Sequence, residues 1–434
     1  MFGDFMNYFM GIDNGGTATK AAIYDSGGRE LAVAVRETDR CPGPIGYAER
    51  DMENMWRTNC QVIWEALERS SLSPAQICGI ACCGHGKGLY LWGKDGRPAR
   101  RGILSADTRA AGYVKRWQQD GTEDRAYRRS LQMVMPCQPA ALLAWLRDHE
   151  PQTIAQIQWV FSCKDYIRFR LTGRANGELS DMSGTNLVNL TTKAYDRQLL
   201  EIFGIDFAWD MPPPLCTSTQ LCGRVTAQAA RECGLAEGTP VYGGMFDIDA
   251  CALATGAVDS RKVCMIAGTW SINEYVSDQP VTDGSVAMNS LFCLNEQYLI
   301  EESSPTSAGN LEWILRRILC CGKEPDGESV YAKADKLVES AGVQGFGPIF
   351  LPFVLASNIN PAGMGAFVGL AEQQDQRVLL RSVYEGIVFA HRWHLERLLR
   401  SKREPVDVIR LAGGPFRRLG TDVCRHPAPS HRGS

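Results

Sequence analysis

The sequence predicts an α/β chain organised as two lobes, and three observations carry that prediction. Met10-Gly-Ile-Asp-Asn-Gly-Gly-Thr-Ala-Thr-Lys-Ala-Ala-Ile-Tyr-Asp25 reads as two short strands joined by a tight turn. Beyond it, short apolar runs alternate with amphipathic helical ones, the pattern of an α/β layer. Lys262-Val-Cys-Met-Ile-Ala-Gly-Thr-Trp-Ser-Ile-Asn-Glu-Tyr275 then repeats the strand–turn–strand pattern at the head of the second half.

Taken in order, the first hairpin leads to a third strand over 30–36. A loop over 43–51 ends at Asp51, which is placed to cap a helix over 52–71. A buried strand over 77–83 runs into Gly84-His-Gly-Lys-Gly88 and a strand over 89–92. A short stretch over 103–105 precedes Asp107-Thr-Arg109 at the head of another helix. Helices dominate 113–200, and Met211-Pro-Pro-Pro-Leu215 reads as a rigid linker, because prolines cannot enter a helix or a central strand. A strand over 241–244 delivers Asp247, followed by a helix over 248–256. In the second half, helices over 310–320 and 329–341 precede a strand over 348–352 and a loop over 356–365. A long helix over 375–402 follows, with Val378, Leu379, Val383, Ile387, Ala390 and Leu398 on its apolar face. The strand over 407–412 ends in Gly413-Gly414.

The chain has 434 residues, enough for two or three domains, with 44% hydrophobic and 22% charged residues, as in ordinary globular proteins. A net charge of −3 gives no electrostatic reason to expect nucleic acid or an anionic membrane. No apolar run is long enough to cross a bilayer. The first ten residues lack the basic start of a signal peptide, and translation beginning at Met6 or Met10 fits equally well. Sixteen cysteines occur without a C-x-x-C pair. Most, such as Cys78, Cys251 and Cys264, sit in apolar runs where a free thiol acts as a small hydrophobe. Reduced cytoplasm is the expected compartment. A homodimer is compatible with the sequence. His391 and His394 are spaced for one helix face and read as packing or surface groups rather than metal ligands.

Candidate chemistry gathers at a few points. Asn14-Gly15 is a two-residue hairpin signal requiring φ > 0. With Gly16 and Thr17 it offers backbone N–H groups that can converge on an anion, and Lys20 adds charge. Asp13 sits badly beside a bare phosphate but well beside one carrying Mg²⁺. An ordinary hairpin with a flexible tip accounts for the same residues. Asp247, after two glycines, reads equally as a helix N-cap or as a carboxylate that accepts a proton. Gly84-His-Gly-Lys-Gly88 is not a Walker loop, because Gly88 follows the lysine where Ser or Thr is required.

Gly243-Gly-Met-Phe-Asp247 matches the G-G-x-x-D motif of the FGGY carbohydrate kinases. The two hairpins resemble the paired phosphate loops of the superfamily that holds sugar kinases, heat-shock chaperone ATPases and actin. On these motifs the chain is identified as a member of the FGGY family. The resemblance implies two ribonuclease H-like lobes with a nucleotide between them, over 1–256 and 257–415, the second incomplete. It implies ATP and Mg²⁺ as cofactors, with Asp13 toward the metal and Asp247 as general base. Gly15, Gly16, Thr17 and Lys20 would meet phosphate, as would Gly268 and Thr269, while Gly413 and Gly414 resemble the adenosine loop. Glu49-Arg-Asp51 resembles the family's E-Q-D. Gly84-His-Gly-Lys-Gly88 takes the place of Gln-Met-His-Gly, and Asp107-Thr-Arg109 that of N-D-x-R. His85, Lys87, Asp107 and Arg109 are therefore the implied sugar contacts.

The string G-K-G-L, the I-L-S-x-D-x-R and G-T-W motifs, and Ser304-Pro-Thr-Ser-Ala-Gly-Asn-Leu-Glu-Trp313 resemble L-xylulose kinases in particular. The implied reaction is phosphorylation of a ketopentose, L-xylulose favoured, at its C5 hydroxyl. The rival readings are an ATPase clamp with no sugar substrate and a catalytically inactive remnant. The remnant reading comes from the tail. After Pro415 the resemblance stops and a basic, proline-bearing stretch over 416–434 reads as disordered. A frameshifted or prematurely ended gene is the expected cause, checked by sequencing the locus for another frame encoding the missing motifs.

Overall fold

The computed structural model describes residues 7–268, 270–294, 296–319, 329–341, 347–355 and 363–413. They fall into two compact units. One runs from the N-terminus through Ala250 and adds Asp278–Gly284 and Met288–Leu299; the other comprises Cys251–Ser277, Ser285–Ala287 and the chain from Ile300 onward.

Alternating burial along Tyr8–Asn14 (β1) and the apolar run Ala18–Asp25 (β2) build the centre of the first unit's sheet. Glu30–Glu37 (β3), Ile77–Gly84 (β4), Leu221–Arg224 (β5) and Pro240–Tyr242 (β6) complete it in the order β5-β6-β4-β1-β2-β3. Met245–Phe246 (β7) adds to β4 beyond β6. β1 and β4 are parallel, as are β4 and both β6 and β7. Helix α1, Met52–Ser70, packs Met55, Trp56 and Ile63 against Met10, Ile12 and Ile80. Its start is the expected one: the Asp51 carboxylate accepts the Asn54 N–H at 2.7 Å. A second apolar cluster in this unit gathers Leu89, Leu91, Leu142, Trp145 and Leu199.

The second unit's sheet runs Tyr298–Ser304 (β10), Ser271–Ser277 (β9), Lys262–Ala267 (β8) and Val408–Ala412 (β11), with β8 and β11 parallel. The long helix Gln376–Arg400 starts at its Asp375 cap and packs Leu380, Val383, Tyr384 and Ile387 into a core with Leu311 and Phe350. The buried stripe includes Leu380 and Tyr384, which the periodicity left off. His391 and His394 also lie in it, as packed polar groups: His391 bridges Ser271 and Ser307, and His394 meets Glu302 at 3.1 Å.

Several expectations change. The first turn is not a two-residue bend at Asn14-Gly15. Asn14 stays in β1, and its amide exchanges hydrogen bonds of 3.0 and 2.8 Å with Asn59. The loop is Gly15-Gly16-Thr17, closed by Gly15 N–H donating to Ala18 O at 3.0 Å. The strand expected over 241–244 is interrupted: β6 ends at Tyr242 and the two glycines bend before β7. The proline run is no spacer. Pro213 and Pro214 carbonyls accept from Tyr195 and Gly177, and Leu215–Cys216 pairs with Gly177–Glu178. Cys78 is exposed and Cys251 half-buried, whereas Cys264 is buried. The expected tail over 416–434 and most of the loop over 356–365 lie outside the described residues.

Candidate active site

Three parallel strand ends carry the candidate site. Asp13 lies opposite Cys83, and Cys83 opposite Met245; in the next row stand Asn14, Gly84 and Phe246. Neighbouring strands are about 4.8 Å apart. The segments that leave these rows, 15–17, 85–88 and the helix beginning at Asp247, therefore emerge side by side. Ligands of open α/β sheets bind beyond such carboxyl ends.

The bend before Asp247 admits only glycine. A Cβ on Gly243 would lie 2.2 Å from Thr217 O, and one on Gly244, where φ is +75°, 1.9 Å from Cys82 O. The turn over 217–220 holds both amides: Gly243 N–H donates to Gln220 O at 2.9 Å and Gly244 N–H to Ser218 O at 3.0 Å. The Arg168 guanidinium donates to Gly243 O. Phe246 N–H donates to Ser180 Oγ at 3.0 Å, and Asp247 opens the helix Asp247–Thr255.

Electrostatics mark Asp247. Burial first, then the charges of Asp13 and Asp181, push its proton affinity well above that of an ordinary carboxylate, against the pull of Lys87 and the Ile248 N–H. Asp249, two residues on, is fully buried and accepts the Cys293 N–H at 2.7 Å. Asp13 is ion-paired with Lys20 at 3.2 Å, and its side chain stays 29% exposed, open enough to meet a ligand.

Lys87 (φ +62°) and Gly88 (φ +72°) form a left-handed bend, and the Lys87 ammonium lies 5.9 Å from the Phe246 ring centre. A Cβ on Gly86 would meet the Phe246 ring at 2.4 Å. His85 Nδ1 faces the Gly86 carbonyl at 3.1 Å, so Nδ1 carries the proton, and Nε2 accepts from the Tyr90 hydroxyl at 2.8 Å. Burial, reinforced by Arg50, pulls the His85 pKa down to about 3. An unfolded histidine binds its proton near pH 6.5. Between those values the unfolded chain binds more protons, so the stability contributed by neutral His85 falls as pH drops through 6.5. Urea melts at pH 7.5 and 5.5 are expected to show His85→Gln losing roughly 1.4 kcal/mol less than the parent over that interval. Equal losses would count against a buried neutral imidazole. His391, held near 3 by the same cause, contributes in both chains.

Asp107 and Arg109 are committed largely to each other. Asp107 accepts the Ala48 and Arg109 N–H groups and two guanidinium contacts of 2.9 and 2.8 Å, and Arg109 also reaches Glu49 at 2.7 Å. The guanidinium stacks 4.0 Å from the Tyr47 ring centre, and only its Nη1 lacks an acceptor.

In the second unit, Gly268 N–H donates to Trp270 O at 3.0 Å, and Gly268 O accepts from Ala308. Gly413 has φ +104°, and a Cβ there would lie 2.3 Å from Ala267 O, so the two glycine segments leave adjacent strand ends. Thr269 and Gly414 lie outside the described residues.

One buried network has no counterpart in the sequence reading. Lys164 lies 2.9 Å from Asp165, 3.1 Å from Glu178 and 3.7 Å from Asp181, and Arg168 lies 2.8 Å from Asp165. Burial works against the Lys164 ammonium, yet the three acids hold its proton above the usual range. Asp181 is pushed up to about 7, by burial first. Lys164, Asp165 and Arg168 on one helix, Cys163–Thr172, were the available signal. Among the described residues no group of three or more His, Cys, Asp or Glu side chains has metal-holding geometry, and no helix is long and apolar enough to cross a membrane.

Comparison with known proteins completes the description. Residues 8–254 match the N-terminal domain of the FGGY family of carbohydrate kinases, and residues 263–420 its C-terminal domain. A probable L-xylulose kinase of Pasteurella multocida is 35% identical over 412 residues, covering 94% of this chain and 83% of the relative. The L-xylulose/3-keto-L-gulonate kinase of Escherichia coli is 36% identical over 410 residues, covering 94% and 80%. The crystal structure of xylulose kinase from Rhodospirillum rubrum superposes with a TM-score of 0.79 at 24% identity, covering 96% of this chain and 84% of that one. Together with the two family matches, that likeness gives the fold as the two-domain one of the FGGY kinases.

Proposed function

The chain belongs to the FGGY family of carbohydrate kinases, and from that premise we propose that it phosphorylates the C5 hydroxyl of a ketopentose, L-xylulose being favoured. The single observation that supports the reading best is the row of three strand ends that brings the 15–17 turn, Lys87 and Asp247 together. The sugar preference rests on two relatives named for L-xylulose, each more than a third identical.

Asp247 accepts the proton of the attacking hydroxyl. Its raised proton affinity suits that task, because a base with an ordinary carboxylate pKa would give less driving force near neutrality. Lys87 and the remaining Arg109 nitrogen orient the sugar, His85, with both ring nitrogens engaged, backs the segment that carries Lys87, and Asp107 fixes Arg109. Gly15, Gly16, Thr17 and Lys20 cradle phosphate, Gly268 and Thr269 do the same in the second unit, and Gly413-Gly414 lies against the adenosine. Bound MgATP supplies the phosphoryl group and the charge that neutralises it. Asp13 would hold the metal: it is a half-exposed carboxylate with one oxygen on Lys20, and Mg²⁺ is commonly held by one or two protein carboxylates plus substrate phosphates. The reaction is assigned to the cytoplasm, for one chain or a homodimer alike.

The test is ADP release from MgATP across a panel of ketopentoses. Release that depends on sugar, with the highest kcat/KM for L-xylulose, is expected. Release indifferent to sugar would replace the kinase by an ATPase clamp.

A further inference from the structure

Arg50 closes the two-residue strand Glu49–Arg50, which pairs with Gly102–Ile103 just before the cap of α1. It is 2% exposed. One guanidinium nitrogen, Nη2, donates to the Gly15 carbonyl at 3.1 Å. Nε and Nη1 are buried without an acceptor, and among the described residues the side chain forms no ion pair. Two carboxylates line the small gap beside it, Asp39 and Asp51. Both are engaged elsewhere, Asp51 capping the Asn54 N–H and Asp39 accepting the Asn54 amide.

A guanidinium cannot shed its proton to escape burial. A buried charge with unused donors is a standing cost, relieved when an anionic oxygen takes them. The position is informative. Arg50 grips the first residue of the 15–17 turn, and its charge reaches His85 on the neighbouring segment.

We propose that Arg50 is an oxyanion-binding residue of the active site, holding an anionic oxygen beneath the Gly15 turn. The inference deepens the kinase reading and rests on it for the identity of the oxyanion. Two sources share that chemistry: the phosphoryl group in transfer, and a carboxylate on the acceptor.

The experiment compares the full chain with Arg50→Gln, which keeps a polar amide and removes the charge. Inorganic phosphate is the first probe. Saturating phosphate is expected to raise the parent's Tm by about 3 °C and that of R50Q by less than about 1 °C. Without phosphate, R50Q is expected to melt no lower than the parent, because the unpaired charge is gone; a merely structural arginine would give the opposite. Kinetics then separate the sources. A kcat about 100-fold lower on ketopentose, with its KM little changed, assigns the phosphoryl group. An unchanged kcat on ketopentose, with the KM for a keto sugar acid raised about tenfold, assigns the acceptor carboxylate. R50Q melting below the parent and responding to phosphate as the parent does would overturn the proposal. A parent chain without sugar-dependent ADP release would instead remove the kinase reading, and the phosphate response would still decide whether Arg50 binds an oxyanion.

Discussion

Replacing Asp247 with Asn will lower sugar-dependent turnover by about a thousandfold and leave nucleotide affinity within about twofold. The substitution keeps shape and hydrogen-bonding capacity at the first residue of the helix Asp247–Thr255, so the bend that presents it has no reason to move. What disappears is the ability to take a proton. Asp247 holds that ability under tension: burial, Asp13 and Asp181 raise its affinity for a proton, and Lys87 favours the ionised form. Removing one of three neighbouring acids also relieves repulsion, so the variant should melt no earlier than the parent. Coupled ADP release measures turnover and titration with a nucleotide analogue measures binding. Turnover within tenfold of the parent would exclude Asp247 as the base.

Gly244→Ala should be among the most damaging single substitutions in the first unit. Its added Cβ would lie 1.9 Å from the Cys82 carbonyl, in a backbone conformation at φ +75° that L side chains avoid. The obstructing atom belongs to the central strand β4, which cannot swing aside as a flexible side chain would. We expect a loss of more than about 3 kcal/mol, which for a unit of this size lowers Tm by roughly 6–12 °C. Gly16→Ala is the matched control. Nothing lies within 4 Å of its added Cβ, and its Tm should stay within about 1 °C of the parent. Differential scanning calorimetry of the two variants decides the matter; equal, small shifts would mean that the bend is looser than its contacts indicate.

Features carried by local chemistry were legible in the sequence. The Asp51 cap, the long helix after Asp375 and the strand ending at Gly413 follow from short-range patterns, and the structure has each where they place it. The family motif at 243–247 was equally plain. What escaped were features fixed by distant partners. Asn14 reads as a turn residue until Asn59, forty-five positions away, takes its amide. Arg50 stands in the sequence only as part of the segment resembling E-Q-D, and nothing there shows that it is buried with Nη2 on the Gly15 carbonyl. Asp107 and Arg109 carry the right chemistry for a sugar, yet no spacing in the sequence reveals that Glu49 and Ala48 already claim most of it. The Lys164–Asp165–Glu178–Asp181 cluster is the same case on a larger scale, since its members become neighbours only after folding.

The hold that residues 217–220 keep on Gly243 and Gly244 matters for anyone redesigning this enzyme. A polar stretch joining two short strands is where insertions, affinity tags or circular-permutation joints are commonly placed, on the view that such sites are permissive. Here the Ser218 and Gln220 carbonyls fix the height at which Asp247, the proposed proton acceptor, is presented. Lengthening that stretch by even one residue would misalign the chemistry without touching any residue a motif search would protect.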